Sequence, residues 1–410
     1  MRPTITLGTI VAATLLCGYA EAQIDSTLLR RLPQDSLTHT LNMDAAYHRP
    51  FMSLGRLPVS LGGYIEANWQ HLGTEGVTEG HQFQFRRFTL FVSSSITERI
   101  KFLSELEFED GARVISVEFA ALDLEFDPLL ILRGGMILNP IGAFNQNHDG
   151  PKWEFVDRPI AMTQMLPATF SNPGFGLYGR RYTGSWMYGY EFYLSGGFDN
   201  SIIANEGNKT SLPTAKENAE RFEKIASGEP LITAKIAAGM STIGELGLSY
   251  MGGVYNQWQD DGLTIDTKRR VDVVDIDFNT TLPFETRITA EWAWVFVDVP
   301  PTYTQQFGKQ QYGGFLDVVH PILSGEMFGW DAAVVNLACR FEYVDWNVGS
   351  FQETGETIGD NLWSIMPAVS FRPSPETVIR LNYRLLRQQD ILGNPPTTTG
   401  GVLFGFSTYF

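Results

Sequence analysis

Ionisable side chains of both signs are concentrated in one stretch rich in proline and aromatic residues, residues 139–173. Its charged set is His148, Asp149, Lys152, Glu154, Asp157 and Arg158. The same stretch holds the bulky rings of Phe144, Trp153, Phe155 and Phe170. A long connection with this many apolar groups is typical of a packed functional loop rather than of a disordered one. We therefore expect it to fold into a cavity, with its rings on the wall and its charges projecting into water. The alternative is an outer loop packed over a rim.

The chemistry of common enzymes is not indicated elsewhere in the chain. The sequence holds no P-loop, no H-E-x-x-H and no G-x-S-x-G. Residues 174–179 match G-x-G-x-x-G, but another alternating strand pattern follows where a dinucleotide site needs a helix. The six histidines are too scattered for a metal cluster, His148 beside Asp149 included. We predict that the protein is not an enzyme and uses no cofactor and no metal ion.

The elements that must position the charged loop are strands with one apolar face. From Val59 onward, apolar and polar residues alternate in runs of about ten, the length that a tilted transmembrane strand needs. In residues 100–109, for example, Phe102 and Phe108 alternate with Glu105 and Glu107. The last ten residues alternate in the same way and end on Phe410. Period two with one apolar face predicts a strand, and an apolar edge is safest in a closed barrel.

The connections indicate how many strands there are. Short turns alternate with longer stretches, as in bacterial outer-membrane barrels, whose periplasmic turns are short and whose outer loops are long. Strict alternation requires one further strand near residues 310–319, where the pattern is weak. The sequence thus predicts an all-β fold, a transmembrane antiparallel β-barrel of about 16 strands with a long inward-folded loop. Both ends of the barrel wall would lie in the periplasm.

The chain divides into three parts. Residues 1–22 resemble a secretory signal peptide, with Arg2 before an apolar run and an A-x-A cleavage pattern at residues 20–22. Residues 23–57 form a periplasmic or lumenal lead-in segment, and residues 58–410 form the barrel. Only Cys339 remains after the predicted cleavage, so no internal disulfide is expected. Export together with spanning strands predicts the bacterial cell outer membrane, with its lipid as a partner.

Charge limits the function further. A formal net charge of −16 excludes nucleic acid as a partner. A charge at the lipid midplane costs about 2–4 kcal/mol, so the charged face of each strand must point into the lumen. We expect a basic lumen wall at Arg340, Arg380 and Arg384. We expect an acidic lumen wall at Glu105, Glu107 and Glu109.

A family resemblance rests on the loop and the strands around it. The run from Leu132 to Gly142 resembles the R-x-G-x-x-x-x-P-x-G strand of the phosphate-selective porin (OprO/OprP-like) superfamily. Residues 144–151, 155–159, 166–170, 174–179 and 341–347 resemble its Bacteroidetes-type members. The resemblance implies a 16-stranded passive channel, usually a trimer, that a long inward-folded loop narrows. Some members select phosphate through arginine ladders and a lysine ring. Here the loop mixes one lysine and one arginine with three acidic residues, so phosphate selectivity does not carry over.

The function that we predict is an outer-membrane porin, a passive diffusion channel for small hydrophilic solutes or ions. The loop at residues 139–173 would constrict it, with the six charged residues named first at the constriction. The resemblance implies a homotrimer. The alternative hypothesis is a plugged structural or assembly barrel, blocked by the loop and the lead-in segment, whose outer loops bind a partner protein.

Overall fold

The structure is a computed structural model, which describes residues 29–31, 40–54, 58–207, 209–301, 308–351, 354–391 and 393–410. The predicted signal peptide lies outside the described residues. Within these ranges, no helix has both the length and the apolar composition needed to cross a bilayer.

Sixteen antiparallel strands close into a barrel, which confirms the predicted fold. The strands are β1 Val59–Thr74, β2 Gln82–Thr97, β3 Ile100–Glu109, β4 Val114–Asp127, β5 Leu130–Leu138, β6 Ser171–Thr183, β7 Trp186–Ser195, β8 Leu231–Met240, β9 Gly244–Val254, β10 Arg270–Thr281, β11 Arg287–Val297, β12 Gln310–Met327, β13 Trp330–Asp345, β14 Asn361–Ser374, β15 Thr377–Gln389 and β16 Thr397–Tyr409. The wall closes where β16 pairs with β1, from Thr399 opposite Thr74 to Tyr409 opposite Tyr64. The weakly signalled strand near residues 310–319 is the start of β12.

Shorter elements lie before β1 and in the connections between the wall strands. They are the strands Leu29–Arg31, Met52–Leu54, Val77–Thr78, Gln259–Asp260 and Leu263–Thr264, the α-helix Pro213–Glu217, the π-helix Ala161–Met165, and the 3-10 helices Asn42–Asp44, Phe144–Gln146, Gly150–Lys152, Asn200–Ile202, Ala219–Phe222 and Pro283–Glu285. Turns of two to five residues join the strands at one end, which by analogy faces the periplasm. The long connections lie at the other end, the β3–β4 turn being the one short exception among them.

Alternation along each strand separates a lipid face from an interior face. In β8, Thr233 and Lys235 are buried in the interior, whereas Ile236 is 61% exposed. In β16, Leu403 is fully buried and Phe404 is 42% exposed. Large apolar side chains on the outside of a closed barrel would be unfavourable in water and form the belt that a bilayer requires. The protein is an outer-membrane barrel.

The interior is less polar than we expected. In the outer half of β10 to β13, inward-facing residues such as Val273, Val295 and Phe315 are buried and apolar. They pack against Phe144 and Met165 of the loop between β5 and β6 in one hydrophobic cluster. This part of the lumen is therefore filled like a protein core, because both faces of these strands carry apolar residues there.

Candidate functional site in the barrel interior

Residues 139–170, which connect β5 to β6, fold inside the barrel; we call them the inner loop. Wall side chains bond directly to its backbone. The amides of Ala143 and Phe144 donate to one oxygen of Glu291 on β11, at 3.0 and 2.8 Å. The amide of Ile160 donates to Glu342 on β13 at 2.8 Å. The loop is thus attached on several sides, and its inward position agrees with the expectation from its composition.

The predicted basic wall attaches the inner loop. Arg380 on β15 donates from Nη1 to three loop carbonyls, 2.6 Å away at the closest, and from Nη2 to Glu66 of β1 at 2.8 Å. Arg340 on β13 donates to the carbonyl of Asp157 at 2.8 Å and forms two 2.7 Å bonds with Asp317. These guanidinium groups face the interior, and each is paired with a carboxylate.

The loop carboxylates are paired as well. One oxygen of Glu154 accepts from Arg287 at 2.7 Å and from Arg372 at 2.8 Å. Asp157 lies 2.6 Å from Arg86 and 2.9 Å from Arg384. The expectation that the loop's charges project into water is wrong for Glu154, which is 2% exposed, because wall arginines replace the water.

The pKa values of these carboxylates follow from this pairing. Burial alone would raise the pKa of Glu154, but Arg372 and Arg287 outweigh it and hold that pKa below its ordinary value. Burial likewise acts to raise the pKa of Asp157, and its arginine neighbours lower it overall. Both groups are therefore charged in the folded protein at neutral pH.

The described part of the lead-in segment also lies inside the lumen. We call residues 40–51 the inner segment. Its Arg49 donates to both oxygens of Asp149, at 2.9 and 2.6 Å, and to Glu105 of β3 at 2.8 Å. We call this set of contacts the Arg49 latch. The side chains of its three members, Arg49, Asp149 and Glu105, are fully buried. Burial alone would raise the pKa of Asp149, but Arg49 and Lys152 hold it well below its usual range.

His148 completes this cluster. Its Nδ1 lies 3.0 Å from the carbonyl of Asn145, and its Nε2 lies 3.5 Å from Glu105. The oxygens of Glu105 and Asp149 and the ring of His148 are close enough together to surround a metal ion. Any such ion would face the guanidinium of Arg49, which already supplies the positive charge. The set therefore fits an arginine better than a metal ion.

The predicted acidic wall is divided between different partners. Glu105 pairs with Arg49, whereas Glu107 and Glu109 lie 3.0 and 3.3 Å from Nε of Arg87. Arg158 of the inner loop lies 3.7 Å from Glu107. Sequence reasoning missed Arg49, because no strand pattern or motif in residues 23–57 marks it.

Two large cavities flank the inner loop. An inner cavity of about 620 Å³ opens along the short-turn ends of β10 to β14, lined by residues that include Lys152, Arg287 and Arg372. A smaller cavity of about 230 Å³ shares Lys152 and Arg287 with it and reaches Glu154. An outer cavity of about 850 Å³ is lined by Glu118, Lys216, residues 167–169 of the loop and others. Lys152 keeps a 25% exposed side chain, and burial lowers its pKa despite the nearby Asp149.

The chain has sequence similarity to a known protein over about half of its length. No family model matches the chain. An uncharacterized protein of Aquifex aeolicus (strain VF5) is 31% identical over 233 residues, which are 52% of this chain and 51% of that protein. The chain thus spans about half the length of that relative.

Solved porin structures are similar over most of the chain. The outer membrane channel DcaP of Acinetobacter baumannii has a TM-score of 0.55 at 12% identity, over 86% of this chain and 97% of that one. The anion-selective porin from Comamonas acidovorans gives 0.53 at 12% identity, over 86% and 99%. OmpF of Salmonella typhi, in complex with daunomycin, gives 0.51 at 11% identity, over 86% and 98%. At this identity the likeness concerns the fold alone, and that fold is the one of the outer-membrane porins.

Proposed function

We propose that the protein is an outer-membrane channel for small hydrophilic solutes or ions, constricted by the inner loop. The observation that carries this proposal is the position of the loop. It is bonded to the wall of a closed barrel, and it helps to line one cavity toward each end of the lumen, each of which also has charged side chains in its lining. A loop held across the lumen in this way narrows the channel, while the cavities on either side of the loop stay open.

We assign different roles to the six charged residues predicted at the constriction. His148, Asp149, Glu154, Asp157 and Arg158 hold the loop against the wall and the inner segment. Lys152 and the wall residue Arg287 keep 25% and 47% of their side chains exposed, beside the inner cavity. These two basic groups are therefore accessible to an ion that enters the inner cavity on the periplasmic side of the loop.

Electrical recording from the full chain in planar bilayers tests the proposal. We expect stepwise conductance, and we expect Lys152→Glu to shift the reversal potential in a KCl gradient toward cation preference. The matched control is Lys224→Glu, which makes the same charge change on the outer surface, at a side chain that is 66% exposed. Folded protein that gives no conductance steps overturns the proposal, and equal shifts in both variants overturn the role of Lys152.

A second function is favoured by the burial of the Arg49 latch. If the inner segment and inner loop fill the lumen permanently, the barrel is structural and its outer loops bind a partner protein. This candidate predicts no conductance, even after removal of residues 40–51. Assembly as a homotrimer is a further proposal from the family resemblance, and light scattering of the detergent-solubilised protein tests it.

A further inference from the structure

We infer that the inner segment, residues 40–51, is a gate on the periplasmic side of the channel, latched by Arg49 and seated against Gly189 of β7. The inference rests on the proposed channel function, and it assigns the lead-in segment a role in regulating it. Four observations support it: the path of the chain, its contacts with the wall, the seat at Gly189 and the adjoining cavity.

The inner segment is followed directly by a short strand at one rim of the barrel. Leu29–Arg31 pairs with Met52–Leu54, and Met52 pairs in turn with Leu61 of β1. These pairings lie at the short-turn end of the barrel. The inner segment is thus joined at residue 51 to a strand that is fixed at the periplasmic rim. It can turn about that junction, out of the lumen and toward the rim.

The inner segment is folded on itself. Its amide groups bond within it, from Asp44 to the carbonyl of Leu41 at 2.9 Å and from Tyr47 to that of Asp44 at 2.9 Å. Its bonds to the wall run to wall side chains, such as the 2.8 Å bond from the amide of Asn42 to Glu245. Release of the segment would therefore leave the strand pairing of the barrel intact.

Charged contacts hold the segment at two levels. Arg49 reaches the inner loop and β3, as described above. Nearer the rim, Asp44 pairs with Arg180 of β6 at 2.8 Å. Tyr47 contacts Asp123 of β4, which also binds Arg133 of β5 at 2.8 Å. Because Arg49 joins the segment to the inner loop, a movement of either one is transmitted to the other.

Gly189 provides a seat shaped for the segment. A Cβ atom at this position would lie 2.5 Å from the sulfur of Met43 and 2.9 Å from a methyl carbon of Leu41. Gly189 does not have a left-handed backbone conformation, so the backbone itself does not require glycine. Leu41 and Met43 are buried there among apolar wall residues that include Met187. The wall is thus recessed where the segment packs.

The segment also forms one side of the inner cavity, which Thr40, Asn42 and His48 help to line. Its wall contacts run from β1 and β2, where Phe51 packs with Tyr64 and Phe91, to β10. The cavity extends along β10 to β14. Displacing the segment would join the cavity to the space that the segment occupies. We therefore expect the channel to widen on its periplasmic side.

Single-channel recording tests the gate. Arg49→Ala removes the latch, and Gly189→Leu fills the seat from the wall side. We expect both variants to show a several-fold rise in open time or conductance over the wild type. The control is Ala238→Leu on β8, which also creates a leucine, by adding three carbon atoms rather than four, but on the lipid face. If the wild type has the same open time and conductance as both variants, the gate is refuted and the channel proposal stands.

A chemical readout separates the two proposals. In a chain whose two cysteines are replaced, Met43→Cys places a thiol at a side chain that is 8% exposed. We expect a membrane-impermeant maleimide on the periplasmic side to label it much faster when Arg49→Ala is also present. Val77→Cys, exposed on an outer loop, reports on labelling from the other side. Faster labelling without conductance in any variant overturns the channel but not the movable segment, and equal labelling rates overturn the gate.

Discussion

At the scale of residues, arginines organise the interior. Arg49, Arg340 and Arg380 are each at most 3% exposed, and each joins an internal segment to the wall or to the other segment. A guanidinium group suits this role, because its planar fork of donors can serve a carboxylate and backbone carbonyls together. Removing one partner of a buried ion pair costs about 3–5 kcal/mol, since the other charge is left without compensation.

We propose that the wall arginines contribute to the charge preference of the proposed channel. Replacing Arg380 and Arg384 together by alanine leaves Glu66 and Asp157 each with one guanidinium fewer. We expect a lower anion preference, measured as the reversal potential in a KCl gradient. Arg270→Ala serves as the control, because Arg270 is 48% exposed on the outer rim. An unchanged reversal potential in the double variant would refute the assignment of a basic wall.

The loop carboxylates make stability depend on pH. Asp149, Glu154 and Asp157 have folded pKa values below their usual ones, so their contribution is complete above the unfolded pKa of about 4. It is lost as pH falls below that value. We expect these groups to leave the free energy of unfolding in urea unchanged between pH 7 and 5 and to lower it at pH 3.5. Asp157→Asn should reduce the drop from pH 5 to 3.5, and an equal drop in both proteins would contradict this account.

The residues of the predicted site could be placed only in part from the sequence. The period of two separates an apolar from a charged face of each strand, and charged wall residues such as Glu105 and Arg340 are buried in the interior. It could not supply their partners. Arg380 and Glu66 meet only through closure of the barrel, and Arg49 reaches Glu105 only because the inner segment lies in the lumen. For that reason the expectation that the charges of the inner loop face water is wrong for Glu154.

At the scale of elements, the strands were the most predictable part and the packing of the inner loop the least. Alternation and turn chemistry are local, and they located the 16 strands, including weakly patterned β12. The loop's position was inferred from its rings. Its packing on Phe315 could not be inferred, because Trp153 and Phe315 are 162 positions apart in the sequence. The centroids of their rings lie 5.9 Å apart.

Truncating that wall ring should loosen the loop. Phe315→Ala removes a side chain that is 4% exposed, and a core truncation of this kind costs about 3–5 kcal/mol. We expect a lower free energy of unfolding in urea and noisier single-channel currents. Phe341→Ala on β13 makes the same change on the lipid face, where the ring is 45% exposed. Equal current noise in the two variants would show that the ring does not support the loop.

At the scale of the whole molecule, the wall is one continuous sheet that closes on itself. Sixteen strands leave no open edge to template aggregation, and the outward apolar belt meets lipid. Phe410 covers the seam between β16 and β1: its amide donates to Gly63 at 3.0 Å, and its ring lies 5.8 Å from that of Phe88. The seam therefore depends on aromatic packing as well as on strand pairing.

Weakening the seam should lower the heat resistance of the barrel. We expect Phe410→Ala to lower the temperature at which the compact form disappears in gel-shift electrophoresis. Phe328→Ala, at a turn where the ring is 87% exposed, removes an equal ring away from the seam. If both variants melt at the same temperature, the ring of Phe410 contributes nothing particular to closure.

The pairing of Tyr64 with Tyr409 also fixes an order of events in time. Of the wall strands, β1 is synthesised first, and one of its edges stays unpaired until β16 has been made. Contacts so remote in sequence form slowly. The wall can therefore close only after its last strand has been made, and until then one edge of β1 lacks its partner strand.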